Sequence, residues 1–371
     1  MVAITEDDIR DLALFKGEEA PVTSCYLDVD GAHLLRHEDV VHQLDLLLRS
    51  VRPLASTDRS VAADLERIEE HIKGGIDRSH TRGLAFFSCA AQDFWRVIEL
   101  PMAVRNQVVV NHTPYVRQLE VVVDEHVPFG VLLADKQRAR MFVFELGELV
   151  ETTELFEQLP RGDDADHSYT KDQNQSHVAA LAHQHLRHAA EVAFEVFKTS
   201  HFERLIIGAP DEIASELESV LHPYLQERIE ARLPVAPSAS VEEIRQAART
   251  VEAEVEQRKE AELVARLRDE IGGNRRGVAG LDSTLKALVE RRVETLLVSV
   301  GFAHEGWRCA ACGHIARVGR TCPVCEAEMH AVGDVVEEAV EEALVQSCNV
   351  QSCRDNPDLD VLGGIGAILR Y

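Results

Sequence analysis

The sequence predicts a multi-domain protein built from mixed layers of α-helices and β-strands. Its 371 residues are enough for two or three domains, each with its own hydrophobic core. Short segments rich in β-branched and aromatic residues alternate with longer segments of helical periodicity, which is typical of α/β layers. Two Cys-x-x-Cys pairs near the C-terminus predict a small metal-binding ribbon within this architecture.

Composition and charge limit the classes to which the chain can belong. Hydrophobic residues make up 45% of it and no apolar run reaches the length of a membrane span, so we expect a soluble protein without membrane contact. The first residues are acidic and lack the regions of a signal peptide, which predicts a cytoplasmic location. A formal net charge of −25 argues against general polyanion binding, DNA included, so any RNA contact must come from local basic patches.

Residues 1–125 are predicted to form an N-terminal α/β domain. Its strands are expected at 22–29, 83–88, 95–100 and 107–110, where β-branched and aromatic residues are frequent. Its helices are expected at 40–50 and 61–72, where leucine and isoleucine recur at helical spacing. We find no catalytic constellation in this range.

Residues 126–238 are predicted to form a middle α/β domain. Three strands around residues 129–134, 139–146 and 149–155 form a meander. The segment Arg204–Gly208 is short and apolar after its first residue, which predicts a central strand covered on both faces. A helix is expected at 211–221, because Pro210 precedes it and His222-Pro223 ends it.

Within the middle domain, an acidic loop precedes a helix rich in histidine. Residues 162–166 (G-D-D-A-D) are typical of an exposed loop, and helical periodicity begins at Ser176. The apolar face of the helix is expected at Val178, Leu181, Leu186, Ala189 and Val192. The cationic positions, expected to point elsewhere and to contact RNA, are His177, His183, His185, Arg187 and His188. A solvated helix without RNA contact is the plainer interpretation.

Two further ranges complete the chain. Residues 239–274 are predicted to form a long connecting helix, which starts with a Ser240/Glu243 capping box and has a polar composition typical of a solvated surface helix. Residues 275–371 are predicted to form a C-terminal α/β domain. Its helices are expected at 281–292 and 335–347, and a buried strand at 293–300.

The clearest chemical signal is the pair of Cys-x-x-Cys motifs in the predicted ribbon, residues 307–327. Cys309 and Cys312 form the first motif, and Cys322 and Cys325 form the second. Each motif presents two thiolates from one tight turn, and two facing turns complete a tetrahedral four-sulfur site. Four protein ligands leave no open coordination position, so we expect one structural zinc ion. The alternative, four free or disulfide-linked cysteines, leaves the paired spacing to chance.

Three features of the C-terminal range occur in a recognisable order: the segment 280–298 (G-L-D-S-T-L-K-A-L-V-E-R-R-V-E-T-L-L-V), the ribbon after it, and the terminal G-G-I-G-A-I-L-R-Y. Together with the layout of the middle domain, they resemble the archaeo-eukaryotic class-one release factor family, which includes Pelota-like rescue factors. The resemblance covers residues 126–371, and the chain looks like a bacterial branch of the family. It implies a three-domain α/β architecture with a zinc ribbon inserted in the C-terminal domain.

In that family a Gly-Gly-Gln loop of the middle domain enters the peptidyl-transferase centre, where the glutamine positions water against the peptidyl-tRNA ester. Gln173-Asn174-Gln175 stands at the corresponding place here, so the resemblance makes these three residues candidates for RNA contact. Gln175 would position water if the protein were hydrolytic. Because neither glycine is present, and Gln173 adopts left-handed backbone less readily than glycine does, we expect docking with little peptide release.

The resemblance therefore implies a ribosome-associated translation factor that binds the A site in rescue, stress or hibernation. We find no codon-reading motif of termination factors in residues 1–125. The implied partners are rRNA and tRNA, with a translational GTPase as a candidate. One alternative is a peptidyl-tRNA hydrolase that uses Gln175, which a peptide-release assay would identify. A second is a zinc-ribbon adaptor that binds proteins only, which would not co-sediment with ribosomes.

Overall fold

The computed structural model describes residues 4–17, 20–125, 127–145, 148–156, 171–273, 276–354 and 356–371. These residues form helices and four β-sheets, so the predicted mixed α/β class is confirmed. The chain divides into two compact units: unit 1 contains Met1–Glu125 and Glu260–Tyr371, and unit 2 contains His126–Lys259. The predicted N-terminal and C-terminal ranges thus belong to one compact unit, and their division into separate domains stays a prediction. In the described part of the chain, no helix is long and apolar enough to cross a membrane.

The first part of unit 1 is an antiparallel sheet with helices packed against it. Its elements are α1 (Glu6–Leu14), β1 (Val22–Asp28), α2 (His37–Leu48), α3 (Arg52–Ala55), α4 (Arg59–Lys73), β2 (Gly83–Cys89), β3 (Phe94–Leu100), β4 (Gln107–Asn111) and α5 (Arg117–Glu125). The strand order is β3-β2-β1-β4. Leu44 of α2 and Ile68 of α4 pack with Leu27 of β1 in the core. The predicted strands and helices of this range are confirmed, and α1, α3 and α5 are additional.

Unit 2 is built on a five-stranded mixed sheet. Its elements are β5 (Phe129–Ala134), β6 (Arg138–Glu145), β7 (Glu148–Phe156), α6 (Lys171–Ser200), β8 (Arg204–Gly208), α7 (Asp211–Val220), α8 (Pro223–Gln226), β9 (Ile229–Arg232) and the first part of α9 (Val241–Gly272). β8 lies between β5 and β9, which confirms the predicted central position, and it runs parallel to both. Leu205 and Ile207 pack with α6 and α7, whereas Ile206 packs on the opposite face with Ile244 and Ala248 of α9.

Helix α9 combines a polar sequence with a buried face. The predicted capping box is present, because the Glu243 N–H donates to Ser240 Oγ at 3.2 Å and the Ser240 N–H donates to Glu243 at 2.9 Å. In unit 2, Ile244 is fully buried and Glu256 binds Arg204 at 2.6 Å, both side chains being nearly inaccessible to water. The expectation of a solvated helix is therefore wrong at these positions, because α9 covers one face of the unit 2 sheet.

The last part of unit 1 contains a mixed sheet and a small ribbon. Its elements are β10 (Gly277–Ala279), α10 (Leu281–Val289), β11 (Val293–Ser299), β12 (Gly306–Cys309), β13 (Ile315–Ala316), β14 (Met329–Val332), α11 (Val335–Val345), β15 (Asn349–Cys353), α12 (Pro357–Val361) and β16 (Ile365–Leu369). The main sheet has the order β10-β16-β11-β15, with β11 parallel to β15 and antiparallel to β16. The predicted buried strand and both predicted helices are confirmed.

The glycines of the terminal motif form the turn that leads into β16. Gly363 and Gly364 have φ values of +101° and +71°. Residues that carry a side chain rarely adopt this backbone conformation. A Cβ added at Gly364 would stand 2.7 Å from the Phe302 ring. The motif therefore serves backbone geometry and close packing within unit 1.

Candidate metal centre and RNA-facing helix

The four predicted metal ligands lie together in the ribbon of unit 1. The ribbon is a three-stranded sheet in the order β13-β12-β14, and Cys309 at the end of β12 is in register with Met329 of β14. The Sγ atoms of Cys309 and Cys325 are 3.5 Å apart, and those of Cys312 and Cys322 are 3.4 Å apart. All four sulfurs lie within 4.8 Å of one another, and all four cysteines are free thiols.

This spacing fits coordination of a shared metal ion. Zinc–sulfur bonds of about 2.3 Å place the sulfurs of a tetrahedral site about 3.8 Å apart. A disulfide would instead bring two of them to about 2.05 Å. The cluster can therefore hold a metal ion, with all four protein ligands already gathered.

The two Cys-x-x-Cys turns close in the same way. The Gly313 N–H donates to the Cys309 carbonyl at 2.8 Å, and the Glu326 N–H donates to the Cys322 carbonyl at 3.0 Å. Both donors follow the first cysteine of their turn by four positions and have positive φ values, +74° and +60°. Burial opposes ionisation of Cys322, but the N–H groups of Cys325 and Val324 lower its pKa to about 7. Cys322 thus favours the thiolate, which is the metal-binding form. In contrast, although the His314 N–H opposes the shift, burial and hydrogen bonds with the other three sulfurs raise the pKa of Cys312 to about 12.

The residue beside the first ligand is held by two buried carboxylates. Arg308 donates to Glu338 and, from Nη1, to Glu341 Oε2 at 3.2 Å. Its own side chain is 21% exposed, whereas the side chains of Glu338 and Glu341 are 1% and 3% exposed. Burial opposes the charge on Arg308, but Glu341 and Glu338 raise its pKa further above the usual range. Arg308 is therefore a structural cation and has little surface to offer a partner.

The same helix, α11, also receives hydrogen bonds from the first part of unit 1. Asn111 Nδ2 donates to Glu338 at 3.0 Å, and Thr113 Oγ1 donates to Glu341 at 2.7 Å. The Val116 N–H donates to Glu337 at 2.8 Å. These contacts join β12 of the ribbon, α11, the end of β4 and the segment after it into one buried polar network. Sequence patterns missed it, because paired glutamates on a helix usually indicate a solvated face.

The residues proposed to correspond to Gly-Gly-Gln lie in the first turns of α6. The helix begins at Lys171, so Gln173, Asn174 and Gln175 have helical backbone, and the predicted start at Ser176 is wrong. No glycine or proline stands between Lys171 and Ser176 to end the helix. The acidic loop at 162–166 and the side chains of 171–176 lie outside the described residues.

The cationic residues of α6 differ in exposure. His177, His183, Arg187 and His188 are exposed, whereas His185 is fully buried. His183 Nδ1 lies 2.6 Å from a carboxylate oxygen of Glu216 on α7. A buried imidazole offers no surface to RNA, so we leave His185 out of the RNA-facing set proposed below.

The burial of His185 follows from which stripe of α6 faces the sheet. The buried positions of the stripe are Ala182, His185, Leu186, Ala189, Ala190, Ala193 and Val196. Val178, Leu181 and Val192, expected on the apolar face, are only partly buried. Small alanines allow the helix to approach the sheet closely, and this places His185 in the core.

Several solved structures resemble the chain at low similarity. An archaeal translation termination factor, aRF1, has 16% identity over 99% of each chain, with a TM-score of 0.28. The Pelota protein of Archaeoglobus fulgidus has 15% identity over 100% of this chain and 94% of that chain, with a TM-score of 0.35. Dom34 of S. cerevisiae has 8% identity over 78% of this chain and 80% of that chain, with a TM-score of 0.42.

A family model gives the stronger relationship. No curated protein matches the sequence. Residues 114–256 match the model of bacterial archaeo-eukaryotic release factor family 10. The matched range contains nearly all of unit 2, including α6 and β8. This range is similar to the bacterial archaeo-eukaryotic release factor family, and the resemblance predicted from the sequence is confirmed there.

Proposed function

We propose that the protein is a ribosome-associated factor that binds the A site in rescue, stress or hibernation, without reading stop codons. The observation that carries this proposal is the release factor family match across residues 114–256, the range that contains α6. The proposed RNA-facing set on α6 is His177, His183, Arg187 and His188, with Gln173, Asn174 and Gln175 before them. A cytoplasmic location, rRNA and tRNA contacts and a translational GTPase as delivery partner belong to the same proposal.

The local charge of α6 explains how an acidic protein can approach RNA. The chain carries 64 acidic and 39 basic residues, so binding must concentrate where basic side chains lie close together on the surface. Arg187 and His188 are adjacent and exposed, and His183, also exposed, lies 2.6 Å from Glu216. Nearby phosphates favour the charged form of histidine, so we expect ribosome binding to strengthen as pH falls through the histidine range.

Changing Arg187 and His188 together to glutamine should weaken co-sedimentation with ribosomes. Each lost phosphate contact should also make the slope of log affinity against log salt shallower by about 0.7 to 0.9. The matched control is Lys198→Gln, because Lys198 lies on the same helix about three turns beyond Arg187 and pairs with Glu195 at 2.6 Å. Wild-type protein that does not sediment with ribosomes would refute the proposed function. Equal affinity and slope for the double variant and the wild type would refute only the role of α6.

We further propose that the metal is zinc and that its role is structural. Four thiolates with no open coordination position suit zinc that supports a fold, and such ions contribute directly to folding. Protein purified without chelator should contain one zinc ion per chain by elemental analysis, and Cys322→Ser should lose it. The control is Cys348→Ser, because the Cys348 thiol donates to the Val293 carbonyl at 3.2 Å and a serine hydroxyl can do the same. Wild-type protein without stoichiometric zinc would contradict the assignment.

A further inference from the structure

A group of arginines lies at one end of the main sheet in the last part of unit 1. Arg276 precedes β10, Arg292 precedes β11 and Arg370 follows β16. The Leu369 N–H donates to the Arg276 carbonyl at 2.7 Å, and the Arg370 N–H donates to the Arg292 carbonyl at 2.8 Å. The three arginines therefore lie at the same end of three neighbouring strands. At a strand spacing of about 4.8 Å, their backbones lie within about 10 Å of one another.

The nearby carboxylates neutralise only part of this charge. Glu270 pairs with Arg276 at 3.5 Å, and Glu290 pairs with Arg292 at 2.9 Å. Arg370 instead donates to the Gln346 carbonyl at 3.1 Å, which leaves its charge uncompensated by that contact. This end of the sheet is therefore locally basic in a chain whose net charge is −25.

A fourth arginine occupies a strained position in the same group. Arg291 is exposed and has a φ value of +55°, just after the end of α10. Its N–H donates to the Leu288 carbonyl at 2.9 Å, and the next N–H donates to the Ala287 carbonyl at 3.0 Å, as at many helix ends. Glycine is the usual residue there, because left-handed backbone strains a residue that carries a Cβ atom. The chain thus places an exposed cation where glycine would fold with less strain.

We propose that Arg276, Arg291, Arg292 and Arg370 form a second RNA-binding surface, which contacts the phosphate backbone. Guanidinium groups bind phosphates through two parallel hydrogen bonds and remain charged at any physiological pH. Tyr371, which follows Arg370 and is 71% exposed, adds a ring on which an unpaired base can stack. RNA fits better than an acidic protein segment, since only RNA offers both phosphates and bases. The choice of RNA rests on the proposed ribosome association.

The strained position gives a variant that separates binding from folding. Arg291→Gly removes a cation and relieves the left-handed strain, so its thermal unfolding midpoint should equal or exceed that of the wild type. The double variant Arg291→Gly/Arg370→Gln should bind a fluorescently labelled 20-nucleotide single-stranded RNA at least about five-fold more weakly, as measured by anisotropy. Its salt slope should be shallower by about 1.4, since two single-strand contacts are lost.

The matched control is Arg49→Gln/Arg52→Gln. These exposed arginines also belong to unit 1, and both pair with Asp45, at 3.1 Å and 2.7 Å. Equal weakening by the two double variants would show a general charge effect and overturn the proposal, as would unchanged RNA affinity. Equal affinity of the wild type for the RNA and for a polyglutamate peptide of the same length would assign the surface to an acidic protein instead. Because the assay contains no ribosomes, failure of the proposed function would appear separately, as loss of ribosome co-sedimentation by the wild type.

Discussion

Replacing Arg308 with methionine should lower the free energy of unfolding of unit 1 by about 3–5 kcal/mol. Methionine retains the apolar stem but removes the guanidinium that binds Glu338 and Glu341. Two buried carboxylates would then lie side by side without a cation, and breaking a buried ion pair in this way is strongly destabilising. Urea unfolding followed by tryptophan fluorescence measures the change in unit 1, because both tryptophans, Trp95 and Trp307, belong to it.

The control for this prediction lies in the same ribbon. Arg317 pairs with Asp282 at 2.8 Å, but its side chain is 42% exposed, so Arg317→Met should cost less than about 1 kcal/mol. Adding Glu338→Gln and Glu341→Gln to Arg308→Met should restore part of the lost stability, because the uncompensated charges are removed. If Arg308→Met lowers the free energy of unfolding no more than Arg317→Met does, the buried carboxylates do not need the charge of Arg308 and the prediction is wrong.

The parts of the fold that sequence predicted are those specified by local patterns. The three residues of β8 that lie between Arg204 and Gly208 are all apolar. Consecutive apolar residues in a strand point to both faces of the sheet, so they indicate a strand that is covered on both faces. The Cys-x-x-Cys turns are also local, since each one fixes two ligands within four residues. Their approach to one another then follows from the short segment that joins them.

The buried polar network was not predicted, because it depends on contacts between distant segments. Asn111 and Glu338 are separated by 227 positions, and Val116 and Glu337 by 221. The sequence of α11, V-V-E-E-A-V-E-E-A-L-V, has the pattern of an amphipathic helix with a solvated acidic face. Nothing near α11 in the sequence indicates that the end of β4 and the segment after it pack on this face and donate hydrogen bonds to its glutamates.

The buried stripe of α6 was also predicted only in part, because it too depends on tertiary contacts. Helical periodicity identified the helix, but which stripe is buried depends on how the sheet of unit 2 receives it. The buried stripe is displaced by about one residue from the predicted stripe, so His185 lies in the core and not on the exposed face. The placement of Gln173, Asn174 and Gln175 came from resemblance alone, and their helical backbone follows from the helix propensity of the residues present.

Replacing Glu337 with glutamine should stabilise unit 1 increasingly as pH rises. Glu337 is 3% exposed, and its Oε2 atom has no hydrogen-bond partner among the described residues. Burial raises its pKa well above the usual range, although the charge of Arg117 and the N–H of Val116 oppose the shift, while the charges of Asp334 and Glu341 add to it. Glutamine keeps a carbonyl oxygen that can accept from the Val116 N–H, and it carries no charge to be buried.

The sign of the pH dependence follows from the raised pKa of Glu337. Below the unfolded-state pKa of about 4.3, both states hold the proton and the full stability is present. Above that pH the unfolded chain releases the proton while the folded chain retains it, so wild-type stability is lost until pH passes the folded-state pKa. The stability difference between Glu337→Gln and the wild type should therefore grow by up to about 1.4 kcal/mol per pH unit.

Urea midpoints by tryptophan fluorescence, taken from about pH 6 to about pH 8.5, test this expectation. The control is Glu342→Gln on the same helix, where the half-buried carboxylate already accepts from Gln346 Nε2 at 2.6 Å. The stability difference between Glu342→Gln and the wild type is the reference for the pH dependence of Glu337→Gln. If the stability difference for Glu337→Gln changes with pH no more than this reference, burial does not raise the pKa of Glu337 and the prediction is wrong.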